Sequence, residues 1–166
     1  MPQLSLSLIN EKHFFETDKI SFIDDKTNDS LLRSQLEEND ICYSIAGSLD
    51  KFTLVDAEIL PANTNQAIAI IRVDVEKVAL EYIYGYFIGQ LQQDFYNYNV
   101  QQAVQANLSL TTISSLPVII PDNVILVKIT EIMIVWLRNR NNLNLELRRL
   151  EEIKILLLAK MTKLKV

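Results

Sequence analysis

The sequence predicts an α+β fold, in which a compact mixed domain of β-sheet and helices is followed by one long C-terminal coiled-coil helix. Short β-branched segments and helical spacing both occur within residues 1–122. A heptad pattern without Pro or Gly then occupies residues 124–164. With 166 residues, 49% of them apolar, the chain is long enough to bury the core of one domain. We therefore divide the chain into residues 1–122 and 123–166.

The composition argues against several kinds of functional site. The single cysteine, Cys42, cannot form an intramolecular disulfide and leaves too few thiolates for a Cys-based zinc centre. The only histidine is His13, and the three glycines are isolated, which excludes a glycine-rich phosphate loop. We expect no catalytic residue, no metal and no cofactor. The first residues lack a signal-peptide pattern and no apolar run is long enough for a membrane span, so we expect a soluble intracellular protein.

Charge is unequally distributed along the chain. Residues 1–122 carry 7 Lys and Arg against 17 Asp and Glu, a net charge of −10. Residues 123–166 carry 9 against 4, a net charge of +5. Since Lys and Arg supply most of the affinity for a phosphate backbone, the acidic part argues against a simple electrostatic nucleic-acid binder. Any nucleic-acid role must rest on a local patch or on a partner that brings positive charge.

The first part of the chain predicts short strands and helices. Residues 41–46 and 67–73 are rich in β-branched side chains and are bounded by turn residues, which indicates strands. Shorter runs of the same kind predict further strands, and helical spacing with capping residues predicts helices. The remaining predicted elements are strands at 52–55, 57–60 and 117–121, a helix at 78–95, and a short helix at 109–116 that Ser109 caps.

The heptad pattern of the last part predicts one helix with an apolar seam, the a and d positions of a coiled coil. Ten of its twelve positions are apolar, the exceptions being Arg140 and Lys154. The apolar positions are Leu126, Ile129, Met133, Trp136, Leu143, Leu147, Leu150, Leu157, Met161 and Leu164. Asp122 or Asn123 is a plausible N-cap, and a hairpin folded at residues 139–144 is the alternative to one continuous helix. A seam of this length needs a partner helix, so we expect self-association.

An amide-rich segment precedes this helix. Residues 90–107 contain nine Asn or Gln, interleaved with Phe95, Tyr96 and Tyr98. Amide side chains offer a donor and an acceptor together, which is the pairing that reads adenine in the major groove. A polar loop without special function is the alternative interpretation of the same composition.

Three segments in fixed order resemble a known family. Residues 38–48 read ENDICYSIAGS, residues 63–71 read NTNQAIAII, and residues 105–109 read QANLS, followed by PVIIP at 117–121 and the long helix. This order resembles a target recognition domain of type I restriction-modification specificity (S) subunits, followed by one of their spacer helices. The resemblance covers the chain from about Ser30 to its C-terminus.

The sequence also departs from the family pattern. Asn39 and Asp50 stand where the family usually has Gly, and Gln102-Ala103 replaces a frequent Gly-Ser. Residues 122–124 replace the usual Glu-Gln pair, and the opening segment of the family has no match before Ser30. Complete specificity subunits carry two recognition domains and two helices, whereas this chain has one of each. The resemblance therefore implies a half-subunit.

The resemblance implies a non-catalytic, cytoplasmic protein of a prokaryote that reads one half of a bipartite target in double-stranded DNA. Its helix would dock methyltransferase (modification) subunits and, through them, the restriction motor subunit, and would pair with a second copy or a second S subunit. Candidate DNA-binding residues are Lys51, Thr53, Asn63, Thr64, Tyr98, Gln101, Gln102 and Gln105. Candidate structural residues of the family-like motifs are Asp40, Gly47, Asn65, Gln66, Asn107 and Ser109.

Two other interpretations stay open at the level of sequence. The chain could be a coiled-coil adaptor that dimerises and binds only protein. It could also be a decayed fragment of a specificity subunit that folds without recognising DNA. Salt-dependent DNA binding distinguishes these interpretations from a functional half-subunit.

Overall fold

The structure, a computed structural model, describes residues 2–4, 9–10, 13–15, 20–46, 51–89 and 108–163. The chain divides into two compact units, Met1–Ile119 and Ile120–Val166. The architecture is α+β with a long C-terminal helix, as the sequence predicts. The strands are β1 (Pro2–Leu4), β2 (Ser21–Phe22), β3 (Ile41–Ser44), β4 (Phe52–Leu54), β5 (Asn63–Thr64) and β6 (Ile68–Ile71). The helices are α1 (Asp25–Ser30), α2 (Leu80–Ile88), α3 (Leu110–Ser114) and α4 (Asn123–Lys163), with 3₁₀ turns at Leu32–Ser34 and Ala57–Ile59.

The central sheet confirms three of the predicted strands. Its order is β4-β3-β6, and both pairings are antiparallel, with Cys42 opposite Thr53 on one side and Ile70 on the other. All four residues of β3 are buried, which fits the middle strand of a sheet covered on both faces. A second sheet, β2-β1-β5, pairs β1 antiparallel to β2 and parallel to β5. The sequence pattern does not predict β1 and β2, since they have only two or three residues each.

An aromatic cluster packs α2 against the central sheet. The Phe52 ring lies 5.4 Å from that of Tyr84 in an edge-to-face arrangement and 5.9 Å from that of Phe87. Tyr43 lies 5.4 Å from Phe87, and His13 stacks on Phe52 at 4.1 Å. Such aromatic pairs contribute about 0.5–1.5 kcal/mol each beyond the burial of their area. These contacts fix β4 and α2 relative to β3.

Two predicted strands are not formed. Residues 57–60 instead contain a 3₁₀ turn, in which the Ile59 and Leu60 amides donate to the carbonyls of Asp56 and Ala57 at 3.2 Å. Residues 117–121 form no strand. Carbonyls of this segment accept hydrogen bonds from the Tyr82 and Tyr86 hydroxyls of α2. The prediction of a helix at 78–95 is confirmed for Leu80–Ile88, and residues 90–95 lie outside the described part.

The C-terminal helix α4 is continuous over 41 residues, so the alternative hairpin at 139–144 is wrong. Asp122 caps it, as its Oδ1 accepts from the backbone amides of Val124 at 3.0 Å and Ile125 at 3.1 Å. At 1.5 Å per residue the helix is roughly 60 Å long. Among the described residues, no helix combines the length and the apolar character that crossing a membrane requires.

Candidate nucleic-acid interface

The first family-like motif begins with a tight turn before β3. The Asp40 backbone amide donates to the Glu37 carbonyl at 3.2 Å, and Asp40 Oδ2 accepts from the Glu37 amide at 2.8 Å. Asn39 lies within this turn with a φ of 71°, in the left-handed region that favours glycine. Asn tolerates this region better than most other non-glycine residues. The departure from the family's glycine at this position is therefore compatible with the same turn.

The turn places Asp40 opposite Arg72 across the sheet. The β3–β6 register pairs Ile41 with Ile71, so residues 40 and 72 form the next position of the ladder. Arg72 donates from Nε to Asp40 Oδ1 and from Nη2 to Oδ2, both at 2.8 Å, and from Nη1 to Glu37 Oε1 at 2.6 Å. These hydrogen bonds to Asp40 raise the pKa of Arg72 above its ordinary value. Asp40, 1% exposed, is thus a buried carboxylate held by a bidentate arginine.

An open cleft of about 400 Å³ lies beside this ion pair. Its walls include Arg33, from the 3₁₀ turn after α1, together with Glu37 and Arg72. Arg33 and Arg72 are the only two arginines in residues 1–122. Sequence reasoning did not select either of them. Their isolation in an acidic segment was the available signal, but the sheet register that brings Arg72 to Asp40 cannot be read from the pattern.

Lys51 and Thr53, two candidate DNA-binding residues, face the N-terminal segment of the chain. Thr53 Oγ1 donates to the His13 carbonyl at 2.8 Å, and the Thr53 side chain is buried. In this arrangement the hydroxyl joins β4 to the segment at His13, and a DNA contact by Thr53 stays a prediction. Lys51 is half-buried, and its Nζ donates to the Ile9 carbonyl at 3.0 Å.

Asn63 and Thr64, also candidates for DNA contact, form the buried strand β5. Asn63 Nδ2 donates to Asn28 Oδ1 at 3.2 Å and to the Leu31 carbonyl at 3.3 Å. This amide therefore joins β5 to the end of α1 inside the protein. Its Oδ1 is buried and has no hydrogen-bond partner among the described residues. Both residues are buried within this chain, at 0% and 3% exposed, and their contact with DNA stays a prediction.

Asn65 and Ser109, two candidate structural residues of the second and third motifs, each accept a hydrogen bond from a backbone amide. Asn65 Oδ1 accepts from the Ala67 amide at 3.0 Å and so stabilises the turn into β6, whereas Gln66 is exposed in the same turn. Ser109 caps α3, since its Oγ accepts from the Thr112 amide at 3.0 Å. Gly47, Tyr98, Gln101, Gln102, Gln105 and Asn107 lie outside the residues that the structure describes.

The predicted seam of α4 is mostly exposed within this chain. Leu126 and Met133 are half-buried, whereas the other described apolar positions of the seam are exposed, from Ile129 at 37% to Met161 at 63%. Leu164 lies outside the described residues. The Arg140 guanidinium lies over the Trp136 ring, 5.8 Å from its centroid, so this polar seam position covers an aromatic one.

Apolar exposure on α4 extends beyond the seam. Ile155, Leu156 and Leu158 flank the seam residue Leu157, and all four are more than half exposed. Four consecutive residues of a helix cover all of its faces. A single partner helix would cover the seam and leave part of this apolar surface in water.

The described residues contain no group of three or more His, Cys, Asp and Glu side chains placed to hold a metal ion. Cys42 is buried in β3, and burial raises the pKa of its thiol far above the ordinary value of 9.0, with a further contribution from Asp40. The chain matches no protein-family model and no curated protein.

Proposed function

We propose that this chain is a DNA sequence-recognition subunit, or half-subunit, of a type I restriction-modification system. Residues 1–122 read one half of a bipartite target in double-stranded DNA. The helix α4 docks the methyltransferase subunits and pairs with a second copy or a second specificity subunit. The protein is non-catalytic and works in the cytoplasm of a prokaryotic cell, where its partners supply the methyl transfer and the cleavage.

The observation that carries this proposal is the order of the three family-like motifs ahead of an uninterrupted 41-residue helix. Two of these motifs have definite local roles, the turn at Asn39 and Asp40 and the turn at Asn65. These roles assign the residues to the scaffold of the domain rather than to a surface that reads bases. The wide apolar surface of α4 supports more than one helical partner.

The charge distribution is consistent with a complex rather than with an isolated DNA-binding protein. Residues 1–122 carry a net charge of −10, and non-specific DNA affinity depends on Lys and Arg. Base edges are neutral. A surface with amides and few cations can therefore bind them through hydrogen bonds while it has little electrostatic attraction for the DNA phosphates. The methyltransferase partner therefore supplies most of the phosphate contacts.

The test measures DNA binding as a function of salt, with and without the methyltransferase subunit. The methyltransferase for this test is chosen from the genomic neighbourhood: an adenine methyltransferase encoded beside this chain would be the partner to co-purify. We expect sequence-specific binding only when both proteins are present, with an affinity that falls as salt rises. A complex that binds all duplexes equally, or a chain that does not associate with the methyltransferase, contradicts the proposal.

A coiled-coil adaptor that binds only protein is the second candidate function. The exposed apolar residues of α4 and the acidic first part favour it. This candidate predicts self-association through α4 without any effect on DNA binding by a partner. A decayed fragment predicts a folded chain that neither recognises DNA nor changes the specificity of a methyltransferase.

A further inference from the structure

The guanidinium of Arg72 is fixed on one side and accessible on the other. An arginine side chain has five N–H donors. Three of them bind carboxylates, from Nε and Nη2 to Asp40 and from Nη1 to Glu37. Within the described part of the chain, one N–H on Nη1 and one on Nη2 are left for acceptors outside the protein. The side chain is 49% exposed, so such acceptors can approach it from solvent.

The charges around Arg72 favour a neutral acceptor over an anion. Asp40 and Glu37 already neutralise its guanidinium, and Glu37 is 66% exposed at the site. A phosphate placed on the same N–H groups would meet the negative charge of Glu37. The O6 and N7 atoms of guanine are two neutral acceptors on one edge, and arginine is their commonest specific partner in the major groove. Because Asp40 and Glu37 hold the arginine in place, little side-chain entropy is lost on contact.

The cleft beside Arg72 offers further contacts of the kind that DNA needs. Leu32 is 71% exposed and lines the cleft together with Ile70, which gives apolar contact to the edge or methyl group of a base. Arg33 lines the same cleft and is exposed. It belongs to the 3₁₀ turn Leu32–Ser34, whereas Arg72 follows the end of β6. As an exposed cation, its guanidinium suits contact with a phosphate of the DNA backbone.

We propose that this cleft is a DNA-contacting surface in which Arg72 reads a guanine edge and Arg33 contacts a neighbouring phosphate. The inference rests on the proposed function, since it names the residues by which the recognition half meets its target. It moves the readout surface away from Thr53, Asn63 and Thr64, which are buried.

The experiment selects bound sequences from a randomised duplex DNA library, using the full chain together with the methyltransferase subunit. The compared proteins are the wild type, Arg72→Gln, Arg33→Gln and the matched control Lys77→Gln. Lys77 is an 81% exposed cation paired with Asp74 and lies outside the cleft. Circular dichroism melting of each variant checks that it folds. The salt dependence of binding to the selected duplex is then measured for each.

We expect the wild type to select a motif containing guanine, and Arg72→Gln to lose about 10-fold or more of the preference for guanine at one position only. Arg33→Gln should weaken binding to all sequences alike and lower the slope of log affinity against log salt by about 1. Lys77→Gln should behave as the wild type. If Arg72→Gln does not fold, the test rests on Arg33→Gln. An Arg33→Gln variant with the DNA affinity and the salt slope of the wild type contradicts the cleft as a DNA contact.

The failure of this inference is distinguishable from that of the proposed function. A wild-type complex that selects no sequence contradicts the proposed function, and the inference falls with it. A wild-type complex that selects a motif, while Arg72→Gln selects the same motif with equal preference, contradicts the guanine reading alone. A uniform loss of affinity in Arg72→Gln also overturns it, because that result assigns Arg72 to a phosphate.

Discussion

Arg72 binds both carboxylate oxygens of Asp40 across the β3–β6 pair, at 2.8 Å each. Asp40 also accepts from the Glu37 amide, so one buried side chain fixes both a turn and a strand end. Because a buried carboxylate is costly without such partners, this arrangement makes Asp40 a structural residue.

We expect Asp40→Asn to lower the free energy of unfolding by about 1–3 kcal/mol, because the charged hydrogen bonds to Arg72 are lost. Glu37→Gln is the matched control, since the Glu37 carboxylate also accepts from Arg72 but is 66% exposed. The control should change stability by less than about 1 kcal/mol. Urea unfolding monitored by circular dichroism measures both, and equal effects of the two variants contradict the structural role of Asp40.

The positive φ of Asn39 gives a second prediction. We expect Asn39→Ala to destabilise the protein by about 1–2 kcal/mol, because a Cβ without a polar partner is strained in the left-handed region. Asn39→Gly should retain the wild-type stability or exceed it slightly. The two variants are compared by thermal unfolding. A lower melting temperature for the glycine variant than for the alanine variant would show that this turn does not need a left-handed residue.

The apolar seam of α4 predicts self-association. Leu147→Asp with Leu150→Asp should convert the associated chain into a monomer, since both side chains are exposed within one chain and lie on the seam. Leu145→Asp is the matched control, as Leu145 is exposed on the same stretch of α4 but lies outside the seam. Sedimentation velocity at micromolar concentration measures the mass of each. A wild-type chain that sediments as a monomer and does not pair with a second specificity subunit contradicts the prediction.

The amide-rich segment predicts base readout by Gln101, Gln102 and Tyr98. Gln101→Ala with Gln102→Ala should relax sequence preference by about 1–3 kcal/mol per lost bidentate contact and leave the fold intact. Asn107→Ala should mainly lower the melting temperature, because the family resemblance gives it a structural role. Selection from a randomised DNA library measures the preference. Unchanged preference after the double substitution contradicts base readout by these two glutamines.

The buried thiol of Cys42 predicts slow modification. Burial raises the pKa of this thiol well above 9.0. At a pH between the unfolded and the folded pKa, the thiol is therefore protonated in the folded protein and ionised in the unfolded chain. The stability that this protonation contributes is complete below the unfolded pKa and is lost as the pH rises through the folded pKa. We expect a disulfide reagent at pH 8 to label Cys42 in urea but not in native buffer. Rapid labelling of the native protein contradicts the burial of the β3 thiol.

The pattern of the sequence determined the class of the fold and its longest element. The heptads at 124–164 predict α4, and the polar pair Asp122 and Asn123 ahead of them predicts a cap, which the structure places at Asp122. The strands β3, β4 and β6 were also predictable, because short runs of β-branched and aromatic residues between turn residues are typical of strands. The cap at Ser109 and the turn at Asn65 are local as well.

The tertiary structure decided which polar residues face solvent and which charges meet. Asn63 and Thr53 look like surface residues in the sequence, yet long-range partners on α1 and at His13 bury them. The meeting of Arg72 with Asp40, 32 residues earlier, depends on the register of β6 against β3, which no local pattern encodes. Segment 117–121 has the composition of a strand, but strand formation needs a neighbouring strand, and carbonyls of this segment accept instead from the Tyr82 and Tyr86 hydroxyls. Local spacing therefore determines elements, whereas pairing across the sheet determines the candidate site.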